Sequence, residues 1–232
     1  INSMGLGGLQ AAASKPPEVD AERAPTRAAL LEVSWEVCNQ LGGIYQVIRS
    51  KAPTMVKRWR ERYLLVGPYV PSRAALEFEE RRASGWVGRA IDALATEGLP
   101  VRHGRWLVPG RPRVLLVEHE SLRHQLDEIK FRLWEQHGIE SPSGDGLIDG
   151  SILFGEGVRR LILALSRAWM GAAGAEDEAE PGNGHKSSAR GGNRRMIAHY
   201  HEWLGGVALP LLHRQHPNLP VASVFTTHAT QL

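Results

Sequence analysis

An α/β fold with a doubly wound, mostly parallel sheet is predicted for this chain by three observations. Short apolar or β-branched runs alternate with stretches of helical period from residue 29 to residue 226, the pattern of strand–helix–strand crossovers. The first unit, ALLEVSWEVCNQLGGIYQVIR at 29–49, passes from an apolar run through a glycine pair into a helical pattern. The stretches richest in chemistry, 39–43, 199–203 and 226–230, all close a strand, which is where ligands sit in such sheets.

Each element has a local reason. Leu30, Leu31, Val33, Trp35 and Val37 carry the opening strand. Asn39 starts the turn, and Gly42-Gly43 can adopt positive φ and let bare backbone approach a ligand. Ile44, Val47, Ile48, Met55 and Trp59 recur at helical spacing, and Pro53 is expected to end or kink that helix near Ala52. Tyr63–Val66 reads as a second buried strand, closed by Gly67-Pro68. Ala74–Ala83 reads as a charged surface helix, and Trp86–Ala95 as a helix stopped near Gly98. Val101–Val108 and Val114–Val117 are the next strands. Ser121–His137 and Ile148–Met170 are amphipathic helices; Gly138 caps the first, and Gly155 and Gly157 in the second predict close packing against a neighbour. Met196–Tyr200 is a strand running into His-Tyr-His-Glu-Trp. Leu204–His216 is a helix with an irregularity at Pro210, and Val221–Thr226 is the last strand.

Composition bounds the function. Hydrophobic residues make up 42% of the 232, with seven Trp, enough for a substantial core. Charge is nearly balanced, 28 basic against 25 acidic, and no basic block is interleaved with aromatics, which argues against nucleic acid. The single Cys38 excludes a disulfide framework and fits a reducing, cytoplasmic setting; it reads as a buried thiol rather than a nucleophile. No apolar stretch approaches the roughly 20 residues that span a bilayer, and residues 1–13 lack the features of a signal peptide. Residues 1–27 read as a disordered leader, and the low-complexity Gly171–Arg195 as a disordered insert.

The residues leave several chemistries open. A strand, a glycine turn and a helix can aim amide N–H groups at a phosphate, or can simply be a tight turn. N-Q-L-G-G matches neither G-x-G-x-x-G nor the P-loop, so NAD and ATP are disfavoured there. His199, His201 and His228 could ligate zinc with Glu202 as base, although H-x-H-E lacks the spacing of helical zinc motifs. They could instead be hydrogen-bonded residues of the core, or line a polar pocket for a sugar.

Five blocks carry a resemblance. LLEVSWEVCNQLGGIYQVI (30–48), RYLLVGPYVP (62–71), HGRWL (103–107), HYHEWLG (199–205) and VFTTHATQL (224–232) stand in the order and approximate spacing of the animal and fungal glycogen synthases. The chain resembles the amino-terminal part of that family. The resemblance implies the N-terminal Rossmann-like half of a GT-B glycosyltransferase over 28–232, with the C-terminal nucleotide-binding domain absent. It implies a retaining enzyme that moves glucose from UDP-glucose to the non-reducing end of an α-1,4-glucan, with no metal and no organic cofactor. Gly42 and Gly43 would approach the donor diphosphate, and His228 would contact the donor. His201 would stand near the transferred glucose and stabilise the oxocarbenium-like transition state. No residue matches a covalent nucleophile.

One departure bears on the site. Where the family carries a lysine two positions before the glycine pair, this chain has Gln40. A Gln amide keeps a hydrogen bond to phosphate and loses the charge, a difference of roughly 0.5–2 kcal/mol, which corresponds to about tenfold in donor binding. The expected function is therefore that of a glycogen synthase-like glucosyltransferase, inactive as these residues alone. UDP-glucose and a glucan primer are its partners, a homo-oligomer is allowed, and nucleic acid and membrane are not expected. The alternatives are a non-catalytic module that binds glucan or a synthase, and another GT-B glucosyltransferase. A phosphorylase is disfavoured, because none of the five lysines has the setting of a pyridoxal phosphate site.

Overall fold

A computed structural model of the chain describes residues 27–172 and 194–228. Its strands are β1 (Ala28–Val33), β2 (Tyr63–Pro68), β3 (Phe78–Glu80), β4 (Val101–Trp106), β5 (Arg113–Val117), β6 (Arg195–His201) and β7 (Val221–Thr226). They form one sheet in the order β3-β4-β5-β2-β1-β6-β7. From β5 to β7 all neighbours pair in parallel, while β4 and β3 extend one edge antiparallel. The helices are α1 (Gly43–Trp59), α2 (Pro71–Glu77), α3 (Gly85–Thr96), α4 (Leu126–His137), α5 (Gly146–Gly171), α6 (Glu202–Gly206) and α7 (Ala208–Gln215). The chain leaves β1 toward β2 and β5, then crosses back to lay β6 and β7 on the other side. The doubly wound sheet expected from the sequence is the observed one, and its switch point lies between β1 and β6, the place where sheets of this kind bind ligands in a crevice outside the strand ends.

Alternate residues of the central strands face opposite layers. Leu31, Val33, Leu64, Val66, Leu115 and Val117 pack under α3, α5 and α7. Leu30, Tyr63, Leu65 and Leu116 pack under Tyr45, Ile48 and Trp59 of α1. The α5 start is capped by Asp145, whose side chain accepts the N–H of Leu147 and Ile148 at 2.9 and 3.0 Å. A Cβ on Gly155 would stand 2.6 Å from Val207, and one on Gly157 2.7 Å from Val117. These are the close approaches the two glycines predicted.

Five expectations are corrected. The opening strand ends at Val33 rather than running to Val37, because Trp35–Cys38 form a turn in which the Ser34 hydroxyl accepts the Glu36 N–H at 3.1 Å. The left-handed position in that turn is Cys38, at φ 53, and neither Gly42 nor Gly43 has positive φ. Helix α1 continues through Pro53 to Trp59. Gly110 packs closely on the backbone of Ala52 and Pro53, where a Cβ would stand 2.7 Å from Pro53, while Ile48, Ala52 and Trp59 anchor the buried side of the helix. The helix expected over Ala74–Ala83 is the short α2 followed by β3, since Phe78 pairs with Trp106 on β4. Glu77, read as a solvated charge, accepts hydrogen bonds from Tyr45 and Trp106.

Two further boundaries shift. The stretch from Ser121 begins as a 3-10 helix, His119–Gln125, before α4, which ends at left-handed Gly138 as expected. Leu204–His216 divides into α6 and α7 around Val207. With the break there, Pro210 falls in the first turn of α7, where its missing N–H costs no helical hydrogen bond. The expected leader and insert fall outside the described residues except at their edges, where α5 runs through Gly171 and β6 begins at Arg195.

Candidate active site

Strand β1 reads AALLEV and is buried at every position. Glu32 is therefore a carboxylate in the middle of the sheet, which is costly unless partnered. Register places it beside His199 on β6 and beside Leu65 on β2, on the face covered by α1. Three groups reach it: the Lys51 ammonium from α1, the Tyr63 hydroxyl from β2 and the His201 imidazole from the end of β6. Burial alone would raise the Glu32 carboxyl, but the hydrogen bond from His201, the charge of Lys51 and the Tyr63 hydroxyl outweigh it and hold the pKa at about 2.

The cluster extends outward from there. His201 Nε2 lies 2.6 Å from Glu32 Oε1, and its Nδ1 lies 2.8 Å from Nε2 of the exposed His228. The two imidazoles stack at 5.1 Å. His199 lies against His201 at 4.3 Å, with its Nε2 on the Thr226 hydroxyl at 2.8 Å. Burial and the neighbouring His201 push His199 down to about 4, so it is a neutral ring near pH 7. Glu202, in the left-handed region at φ 56, accepts the backbone N–H of His228 and ties the ends of β6 and β7 together.

The glycine turn ends at the same edge of the sheet. Glu36 bends back over the head of α1, and its Oε2 accepts the N–H of Gly42 at 2.8 Å and of Tyr45 at 3.0 Å. The amide that the resemblance aims at a diphosphate is thus already engaged by a carboxylate. Gly43 differs: a Cβ there would meet nothing within 4 Å. Gln40, Leu41, Gly42 and Gly43 are all exposed.

The chain matches the glycogen synthase family model over residues 32–232. It belongs to the glycogen synthase family. It is 36% identical to the liver glycogen [starch] synthase of Rattus norvegicus over 229 residues, covering 98% of this chain and 28% of that protein. The glycogen [starch] synthase of Neurospora crassa is 37% identical over 205 residues, 88% of this chain and 26% of the relative. Isoform 1 of Saccharomyces cerevisiae is 34% identical over 215 residues, 88% and 27%. The chain thus spans about a quarter of the length of these glycogen synthases. Its Rossmann-like sheet is the fold expected for the amino-terminal part of that family.

Of the residues singled out in the sequence, the fold brings His201 and His228 into direct hydrogen bonding. It sets Gln40 and Gly42 on the loop after the neighbouring strand β1 and Gly43 at the first position of α1. The zinc reading changes its members. Among the described residues, Glu32, His199 and His201 offer ligand atoms within 4.8 Å of one another, whereas His228 spends its Nε2 on His201. Glu32 already faces Lys51, whose ammonium a metal ion would have to displace. Sequence reasoning missed Glu32, Lys51, Tyr63 and Glu36. Only Glu32 left a signal, as the lone charge in an otherwise apolar strand.

No helix among the described residues is long and apolar enough to cross a membrane. An apolar cavity of about 380 Å³, lined by Ile148, Ile152, Trp203, Val207 and Phe225, involves α5 rather than the α1 layer that holds Glu32.

Proposed function

We propose that these residues form one wall of a retaining glucosyltransferase site that moves glucose from UDP-glucose to the non-reducing end of an α-1,4-glucan. The observation that carries this reading is the Glu32–His201–His228 chain at the switch-point crevice, inside a span that matches the glycogen synthases. His201 is the residue set to face positive charge at the sugar ring: it is pinned by a carboxylate and so can shift its own electron density toward a developing oxocarbenium. His228 contributes a hydrogen-bonding ring nitrogen, Nδ1, toward the sugar donor. Gly43 gives the diphosphate its approach, because its Cβ side is open while the Gly42 amide is held by Glu36. The nucleotide would be gripped from the other side of the crevice by a second domain, so residues 28–232 alone are not expected to transfer glucose.

A second reading, a module that binds glucan or a full synthase without catalysis, is favoured by Gln40. The loop head carries the Glu36 side chain and, at the position where the family has a lysine, the uncharged Gln40. Both readings are tested by fusing residues 28–232 to the remaining sequence of the yeast relative. Radiolabelled glucose from UDP-glucose should enter glycogen, and His201→Ala should abolish the incorporation. A folded fusion with no incorporation would favour the second reading. In the same fusion Gln40→Lys should tighten UDP-glucose by about tenfold, less so in high salt.

A further inference from the structure

Glu32 lies wholly inside the sheet, yet it is the inner end of the hydrogen-bond chain that reaches the crevice. Lys51 and Tyr63 end on it, and among the described residues His201 is the hydrogen-bonded partner that continues outward. We propose that Glu32 is the positioning residue of the site: by holding a proton on His201 Nε2 it fixes the tautomer of His201 and, through it, that of His228. This rests on the reading of the crevice as a glucosyl-transfer site.

The argument follows the donors and acceptors. Glu32 is ionised above about pH 2, so its oxygens only accept. His201 Nε2, 2.6 Å from Oε1, must then carry hydrogen. In an uncharged His201 the opposite nitrogen, Nδ1, is bare, and the 2.8 Å contact with His228 requires the Nε2–H of His228 to donate. His228 consequently keeps a bare Nδ1. A bare ring nitrogen accepts from a sugar hydroxyl and repels a phosphate oxygen, so His228 is set to read the glucosyl ring rather than the diphosphate.

One added proton reverses the outer bond only. His201 then donates from both nitrogens, and its bond to Glu32, charge-assisted already by the carboxylate, becomes an ion pair. The other charged or titratable groups facing the chain are Lys51 on α1, Tyr63 on β2, His199 on β6 and Glu202 on α6. The partner of His201 Nδ1 is His228 Nε2, at 2.8 Å, so the state of the outer pair follows from Glu32 through His201.

The experiment is nitrogen-15 NMR of the imidazoles in the 232-residue chain, without ligand, at alkaline pH where the rings are neutral. It reads tautomers whether or not glucose is ever transferred, so it separates this inference from the function it deepens. In the native chain His201 and His228 should both carry hydrogen on Nε2 and be bare on Nδ1. Glu32→Gln should turn the single His201 tautomer into a mixture, and Glu32→Asp should restore it. His201→Ala should release His228 into both tautomers. A native His201 protonated on Nδ1 would overturn the proposal even if Glu32→Gln does not fold. A native pattern surviving in folded Glu32→Gln, or a His228 still fixed on Nε2 without His201, would overturn it as well.

Discussion

Glu32 and His199 each give the protein an acid-sensitive arm with its own window. The Glu32 carboxyl stays ionised down to about pH 2 in the fold against an ordinary 4.5. The unfolded chain therefore takes up the proton first, and stability is lost as pH falls through that interval, by about 3 kcal/mol at its limit. His199 works in the same direction at higher pH. It stays neutral to about 4, whereas an unfolded histidine is protonated from near 6.5, so acid again favours unfolding. Urea midpoints at pH 7, 5.5 and 3.5 should fall in sequence, and His199→Gln should flatten the drop between the first two. An equal drop in His199→Gln would mean that other groups carry it. Glu32 is visible in the sequence as a misfit charge, but its partners are not: His201 is 169 residues away.

Helix α5 shows how much of an element is local. Its period, its length and its two close-packing glycines are written in residues 146–171, as is its Asp145 cap once the D-G-L-I start is seen. What the glycines pack against is not local, since Gly155 meets Val207 and Gly157 meets Val117. Gly155→Ala would drive a Cβ into the Val207 side chain, next to the α6–α7 break that positions the end of β6. Overpacking of this kind costs typically 1–3 kcal/mol, so thermal unfolding should begin several degrees lower, while Gly43→Ala, which faces open space, should leave it unchanged. Equal melting of Gly155→Ala and the native chain would show that α5 can shift freely. Two local misreadings have the same root. Charges over 77–82 suggested a solvated helix until Phe78 found Trp106, and Pro53 suggested a helix end where the buried side, Ile48, Ala52 and Trp59, carries α1 through to Trp59.

At the scale of the whole molecule, β7 closes the sheet with one side unpaired among the described residues. Val224 and Phe225 on it are each 46% exposed and Trp203 beside it 49%. An apolar edge strand of this kind is a template for association. Sedimentation velocity of the isolated chain should show concentration-dependent larger species, and Val224→Lys should suppress them; a chain that stays monomeric at high concentration would show the edge to be harmless. By itself the sequence determined the α/β alternation, the strand ends that line the crevice and the family, because these reside in local period and in motifs kept in order. The tertiary structure alone decided that the α1 amides are held by Glu36, that His228 rests on His201, and that a buried carboxylate on β1 lies beneath both. Those contacts join segments that only the parallel register of β1 and β6 brings together, and register is a property of the packed sheet rather than of any strand.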